Sequence, residues 1–276
     1  MSELDPHRAV KRDVLVRYLD AWTAASLRSH RGATYVESGD FAADAYRVFG
    51  EFADRLDGHH LEMVVLGAPA PGEPPAGLKV RSADPRELLV TGPVLAHLDA
   101  MDNTLTEPDA WHVVETLATG KAREVLLTLP AGDYHSRLRA AGLACVVAVE
   151  LVDDNGTEQL LVFATGDSKH LATFKNELWA ADEFAGIRFR DPRDTEHALV
   201  EIALTPQLLP LRRLLLAELE RRGTSTVAEL QQYTLLETIY RPADTVGALT
   251  SAATAGAISR TPEKGRMTPR TVVSRP

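Results

Sequence analysis

Cysteine is nearly absent: Cys145 is the only one in 276 residues. An intrachain disulfide needs a second thiol and a cysteine-built metal site needs several, so both are excluded and a reducing cytoplasm is the expected compartment. The nine histidines do not supply a metal site either. His59 and His60 are adjacent and the others show no ligand spacing, so no metal is expected. Long apolar runs are also missing. No stretch approaches the ~20 residues of a membrane span, and the first residues lack an apolar core, so no secretory leader is expected. Basic charge is scarce as well: the formal net charge is −9, which makes the surface as a whole repel nucleic acid. The charge is uneven, however. Residues 205–276 hold 10 Lys and Arg against 6 Asp and Glu, a net of +4 that leaves −13 for residues 1–204.

What remains is the composition of a folded protein, 45% hydrophobic and 25% charged, in a chain long enough for two domains. Residues 6–27 read as one amphipathic helix. Val10, Val14, Tyr18 and Trp22 recur at steps of four, while Lys11, Arg12, Arg17 and Asp20 are assigned to the other face. Beyond Arg31-Gly32 the pattern predicts strands at 33–37, 61–66, 78–81, 94–98, 124–129, 144–152 and 158–164. Helices are predicted over 40–56, 108–119 and 134–141. Strands alternating with helices imply a mostly parallel sheet covered on both faces. The last two strands are joined by Asp153-Asp154-Asn155-Gly156, a turn that accepts positive φ and so predicts an antiparallel hairpin. A parallel sheet closing on one reversed strand marks the methyltransferase-type Rossmann sheet. The expected fold is therefore a Rossmann-like, seven-stranded α/β domain over residues 1–200 with one antiparallel strand. The Pro/Gly-rich stretch 64–77 leaves no room for a helix between strands two and three, and 186–205 reads as a charged connection.

From Pro206 the pattern changes to short helices and a hairpin. Leu211, Leu215 and Leu219 share a face that ends at Gly223. Thr226 and Glu229 have capping-box spacing, and Pro242 suits the first turn of a third helix. With a hairpin over 258–274, residues 205–276 predict a winged-helix domain. Its third helix offers few basic side chains, so weak nucleic-acid binding is expected.

In such a sheet, ligands bind beyond the carboxyl ends of the strands. The turn after strand one is Glu37-Ser38-Gly39-Asp40-Phe41-Ala42. Glu37 and Gly39 stand where an acid and a glycine would meet a cofactor, and Ser38 or Asp40 could instead cap the next helix. A second glycine is lacking. Strand two ends in Gly67-Ala68-Pro69, which has no carboxylate for a ribose, while Asp84 after strand three could meet an adenine amino group. Asp99 and Asp102, after strand four, are the candidate catalytic acids, placed to accept hydrogen bonds from a target amine.

Several segments resemble the three-Cys-motif partner proteins. They are the opening from Val10-Lys11-Arg12-Asp13 through Tyr18-Leu19-Asp20-Ala21-Trp22, Ala164-Thr165-Gly166-Asp167-Ser168-Lys169, Phe174-Lys175-Asn176-Glu177-Leu178-Trp179, and Leu236-Glu237-Thr238-Ile239-Tyr240. The resemblance touches both ends and the middle of the chain. It implies a class I methyltransferase-like fold with a C-terminal winged helix, S-adenosylmethionine as cofactor, and a separate three-Cys-motif protein as partner. The chain departs from that family at the strand-one turn, where family members carry an Asp-x-x-Ala-Gly-x-Gly type of loop. The expected function is thus a degenerate methyltransferase-fold subunit that binds a partner or acts as a scaffold. The alternatives are an active S-adenosylmethionine-dependent methyltransferase and a winged-helix DNA-binding regulator.

Overall fold

The computed structural model describes residues 5–276 apart from 57, 102–104, 119, 121, 131, 133 and 183–185. Helix α1 (Pro6–Ser29) starts at Asp5, whose carboxylate accepts from the His7 N–H, and leads into β1 (Gly32–Ser38). Then come α2 (Ala42–Gly50), β2 (His60–Leu66), β3 (Leu78–Ala83), β4 (Val94–Asp99), α3 (Glu107–Ala118), β5 (Arg123–Leu129) and α4 (Tyr134–Ala140). The hairpin of β6 (Cys145–Asp153) and β7 (Glu158–Thr165) follows, then α5 (Ser168–Leu178), β8 (Ile187–Arg190) and β9 (Leu199–Glu201).

These nine strands form one sheet in the order β3-β2-β1-β4-β5-β7-β6-β8-β9. The strands from β3 to β5 pair in parallel, and β7 enters antiparallel between β5 and β6. The hairpin turns as expected, with Gly156 at φ +79° and the Asp153 carboxylate accepting from the N–H groups of Asn155 and Thr157. This order, with a reversed strand slotted in beside the last parallel one, is the Rossmann-like methyltransferase fold. The expectation of seven strands and one reversal needs correction: β8 pairs antiparallel to β6 and β9 antiparallel to β8, so β8 is a second reversed strand. The stretch taken for a charged connection hides period-two alternation. Ile187 and Phe189 point into the core, while Arg190 pairs outward with Glu150 and Glu158.

Helices α1, α2 and α5 cover one face of the sheet, and α3 and α4 cover the other. Side chains alternate accordingly: Tyr35, Met63, Leu95 and Leu126 belong to the first core, Val36, Val64, Ala96 and Val125 to the second. Residues 67–77 join β2 to β3 without a helix, as the Pro/Gly content predicted.

The C-terminal elements are α6 (Leu209–Arg222), β10 (Thr224–Thr226), α7 (Val227–Glu237), α8 (Asp244–Thr254), β11 (Ser259–Thr261) and β12 (Val272–Ser274). Helix α6 ends at Gly223 with φ +82°, and Thr226 and Glu229 form the reciprocal capping box at the start of α7. The expected hairpin acquires β10 as a third strand, in the order β10-β12-β11.

These elements are seated on α5. The fully buried Lys175 Nζ donates to the carbonyls of Thr234, Leu235, Thr238 and Tyr240 at 2.5 to 3.0 Å. The first three close the carboxyl end of α7, where orphan carbonyls and the helix dipole favour a cation. One turn on, Trp179 Nε1 donates to the Ile239 carbonyl at 3.0 Å, and its ring stacks on Tyr240.

Candidate functional site

Helix α1 runs back along the first face of the sheet. Its Lys11 reaches Asp99 at the carboxyl end of β4, and its Tyr18 reaches Glu124 at the amino end of β5. Lys11 is therefore not on the solvent face assigned to it above. It lies four residues before Leu15 and seven before Tyr18, on the buried stripe, and is only 7% exposed. The Lys11 Nζ sits 2.7 Å from the Asp99 carboxylate, both side chains nearly closed to solvent. The other Asp99 oxygen accepts from the Met101 N–H, and the Asp99 N–H donates to Ser38 Oγ. The acid proposed to face a target amine is thus already paired with an internal one. Asp102 lies outside the described residues.

One strand over, Glu37 is completely buried. It accepts from the Tyr35 hydroxyl and holds His97 Nδ1 at 2.8 Å. Burial opposes the charged imidazole, but the Glu37 carboxylate outweighs it, so the His97 pKa is raised. His97 was not among the expected site residues; its one signal was a polar residue within the apolar run of β4. Its Nε2 has no partner among the described residues, and the Phe41 ring packs 5.5 Å from the imidazole.

The remaining candidates do not converge. Phe41 is 2% exposed and occupies the turn after β1, where the methionine end of a cofactor would need bare backbone. Gly39 is half-buried and Asp40 is exposed, tied to Arg8 at 3.2 Å, with the Arg8 guanidinium over the Phe41 ring. Asp84 is exposed and accepts from the Arg86 N–H, capping a short 3-10 turn. Gly67 follows β2, with no carboxylate where a ribose would need one. The described residues at this edge thus offer S-adenosylmethionine neither a bare strand-one turn nor a ribose carboxylate after β2. Nor is there a group of three or more His, Cys, Asp or Glu among the described residues that could hold a metal ion.

The Glu37–His97 pair predicts a pH dependence. A histidine whose folded-state pKa is raised adds stability that is complete below its unfolded value, about 6.5, and is lost as pH rises through the folded value. The stability gap between the wild type and His97→Gln should therefore narrow from pH 6 to pH 9 in urea titrations. A gap that widens with pH would contradict the raised pKa.

No family model matches the chain, and no curated protein matches its sequence. Among solved structures, it is similar over 56% of its length to EvdMO1, with 14% identity, a TM-score of 0.34 and 42% of that chain covered. Human N-acetylserotonin methyltransferase, solved in complex with SAM, matches 56% of this chain and 52% of its own, at 12% identity and a TM-score of 0.34. The magnesium protoporphyrin IX methyltransferase of Synechocystis PCC 6803, with bound SAM, matches 60% of this chain and 86% of its own, at 12% identity and a TM-score of 0.36. The chain spans about half the length of the first two. The fold itself is carried by the order and direction of the strands.

Proposed function

We propose that this chain is a catalytically degenerate methyltransferase-fold protein that works as a binding or scaffold subunit and pairs with a separate protein. By the segments quoted above, that partner is of the three-Cys-motif kind. The observation that carries the reading is the filled carboxyl edge: Phe41 occupies the turn after β1, and Lys11 is paired with Asp99 at the end of β4. An ion pair this buried is lost only at a cost of several kcal/mol when one partner is removed, so the edge is not a site waiting to open.

The C-terminal elements are read as a winged helix, with α8 in the recognition position and the β11–β12 hairpin as wing. Helix α8 contains no lysine or arginine and begins with Asp244, which argues for protein contact over DNA reading. Exposed Leu199 on β9, Leu204 on the connection and Leu209 at the start of α6 support a protein-binding role. Duplex DNA should bind no tighter than ~1 μM at physiological salt. Tighter binding that is lost on Arg266→Glu would favour a DNA regulator.

A thermal-shift measurement tests the cofactor side. A ligand present at a hundred times its dissociation constant stabilises by about 2.7 kcal/mol, worth several degrees of melting temperature in a chain of this size. Millimolar S-adenosylmethionine should leave the melting temperature unchanged, and no methyl transfer should be detected. A rise of several degrees would restore the enzyme reading.

A further inference from the structure

A second cluster of polar groups lies at the opposite, amino edge of the sheet and is independent of the cofactor question. Because β7 runs in reverse, its carboxyl end and the first turn of α5 arrive beside the amino end of β5 and the last turns of α1. Between them is a cavity of about 70 Å³, open to solvent on one side and lined among others by Tyr18, Trp22, Ser26, Pro93, Glu124 and His170.

Glu124 is the informative residue. It is 2% exposed, and burying a carboxylate at a strand end is costly unless the charge is used. One oxygen accepts from the Tyr18 hydroxyl, and the other sits 3.0 Å from His170 Nδ1 at the mouth, where the imidazole is 39% exposed. A carboxylate offers about four acceptor positions, so about two remain. No lysine or arginine is among the described lining residues; Ser26, Ser29 and Thr173 add hydroxyls, and Trp22 and Pro93 add apolar wall.

We propose that this cavity binds a small protonated amine with an apolar body, its ammonium donating to Glu124 and its body lying against Trp22. His170 is the internal rival for the same carboxylate. Its pKa is raised by the Glu124 carboxylate 3.0 Å away, against the opposing effect of burial, so in acid the imidazolium holds Glu124 and in mild alkali it gives way. The other titratable or charged groups near the pair are Tyr18 from α1, His30 just after that helix, Asp167 and Lys169 from the start of α5, and Arg123. Arg123 bonds instead to the Gly92 carbonyl at 2.6 Å.

Calorimetric titration of the full chain with 2-phenylethylammonium and with its neutral analogue 2-phenylethanol tests this. At pH 8 the amine should bind at least ~10-fold tighter than the alcohol, the worth of one charged hydrogen bond, and its affinity should fall at pH 6. Glu124→Gln should erase the preference for the amine. His170→Ala should keep the preference and abolish the pH dependence, which decides the matter if the Glu124 variant fails to fold. Equal affinity for amine and alcohol, no amine binding at millimolar concentration, or a pH profile unchanged in His170→Ala would overturn the proposal.

Discussion

Replacing Trp179 with alanine is expected to cost roughly 3–5 kcal/mol, the range for deleting a buried aromatic from a packed core. The indole is fully buried, stacked on Tyr240 at 5.4 Å and edge-on to Phe189 at 5.6 Å. Phe189 belongs to β8 at the far side of the sheet and Tyr240 to the C-terminal elements, so one side chain fastens three parts of the chain. Its Nε1 is also the donor to the Ile239 carbonyl, which would be left buried without that hydrogen bond. A large ring of this kind covers ~150–250 Å², too much for neighbouring side chains to close over by relaxation. Urea titration of the variant reads the cost directly. A midpoint close to that of the wild type would show that the junction contributes little.

Lys175→Met is the second large effect, and it probes polar rather than apolar matching. Methionine keeps the length and volume of the side chain but removes every donor. Four carbonyls then lose their shared partner, although that of Thr234 keeps the Thr238 hydroxyl at 2.8 Å. A buried acceptor left unpaired costs ~1–3 kcal/mol, so three of them outweigh a single lost hydrogen bond. Against this stands the desolvation of the ammonium, which pushes the Lys175 pKa well below its ordinary value and is relieved in the variant. The balance should still be a loss of about 3 kcal/mol. It should be accompanied by faster proteolysis near residues 202–208, where the chain passes from the sheet to α6. A variant as stable and as protease-resistant as the wild type would mean that apolar contacts alone seat the C-terminal elements.

These two residues also show where sequence reading succeeds and where it stops. Trp22 was legible as a buried anchor because an apolar aromatic at helical spacing, in step with Val10, Val14 and Tyr18, has few other fates. Strands β1, β2 and β4 to β7 were legible because strands covered on both faces read as apolar runs, and the Asn155-Gly156 turn announced the reversal. Strand β8 was not, because two of its four residues are arginines and its pairing with β6 is a long-range event. Three-residue strands such as β9 and β10 carry no period to detect. Lys11 and Lys175 were hidden for a different reason. Charge predicts exposure, and only the tertiary partners, Asp99 for one and the end of α7 for the other, make burial tolerable. At the candidate site, the missing glycine and missing ribose carboxylate could be read from residues 37–42 and 67–69. The ion pair and the His97–Glu37 contact that fill the edge could not, since they join residues 88 and 60 positions apart.

The central claim is that the carboxyl edge of this sheet no longer accepts the cofactor its strand order suggests. Isothermal titration of the purified chain with S-adenosylmethionine tests it most directly. Each charged hydrogen bond forgone is worth about 1.5–3 kcal/mol, or roughly 10–100-fold in affinity. With the ribose carboxylate missing and Phe41 filling the turn after β1, no binding heat should be measured up to millimolar cofactor. A low-micromolar dissociation constant that disappears in Glu37→Ala would contradict the account and make the edge a working active site.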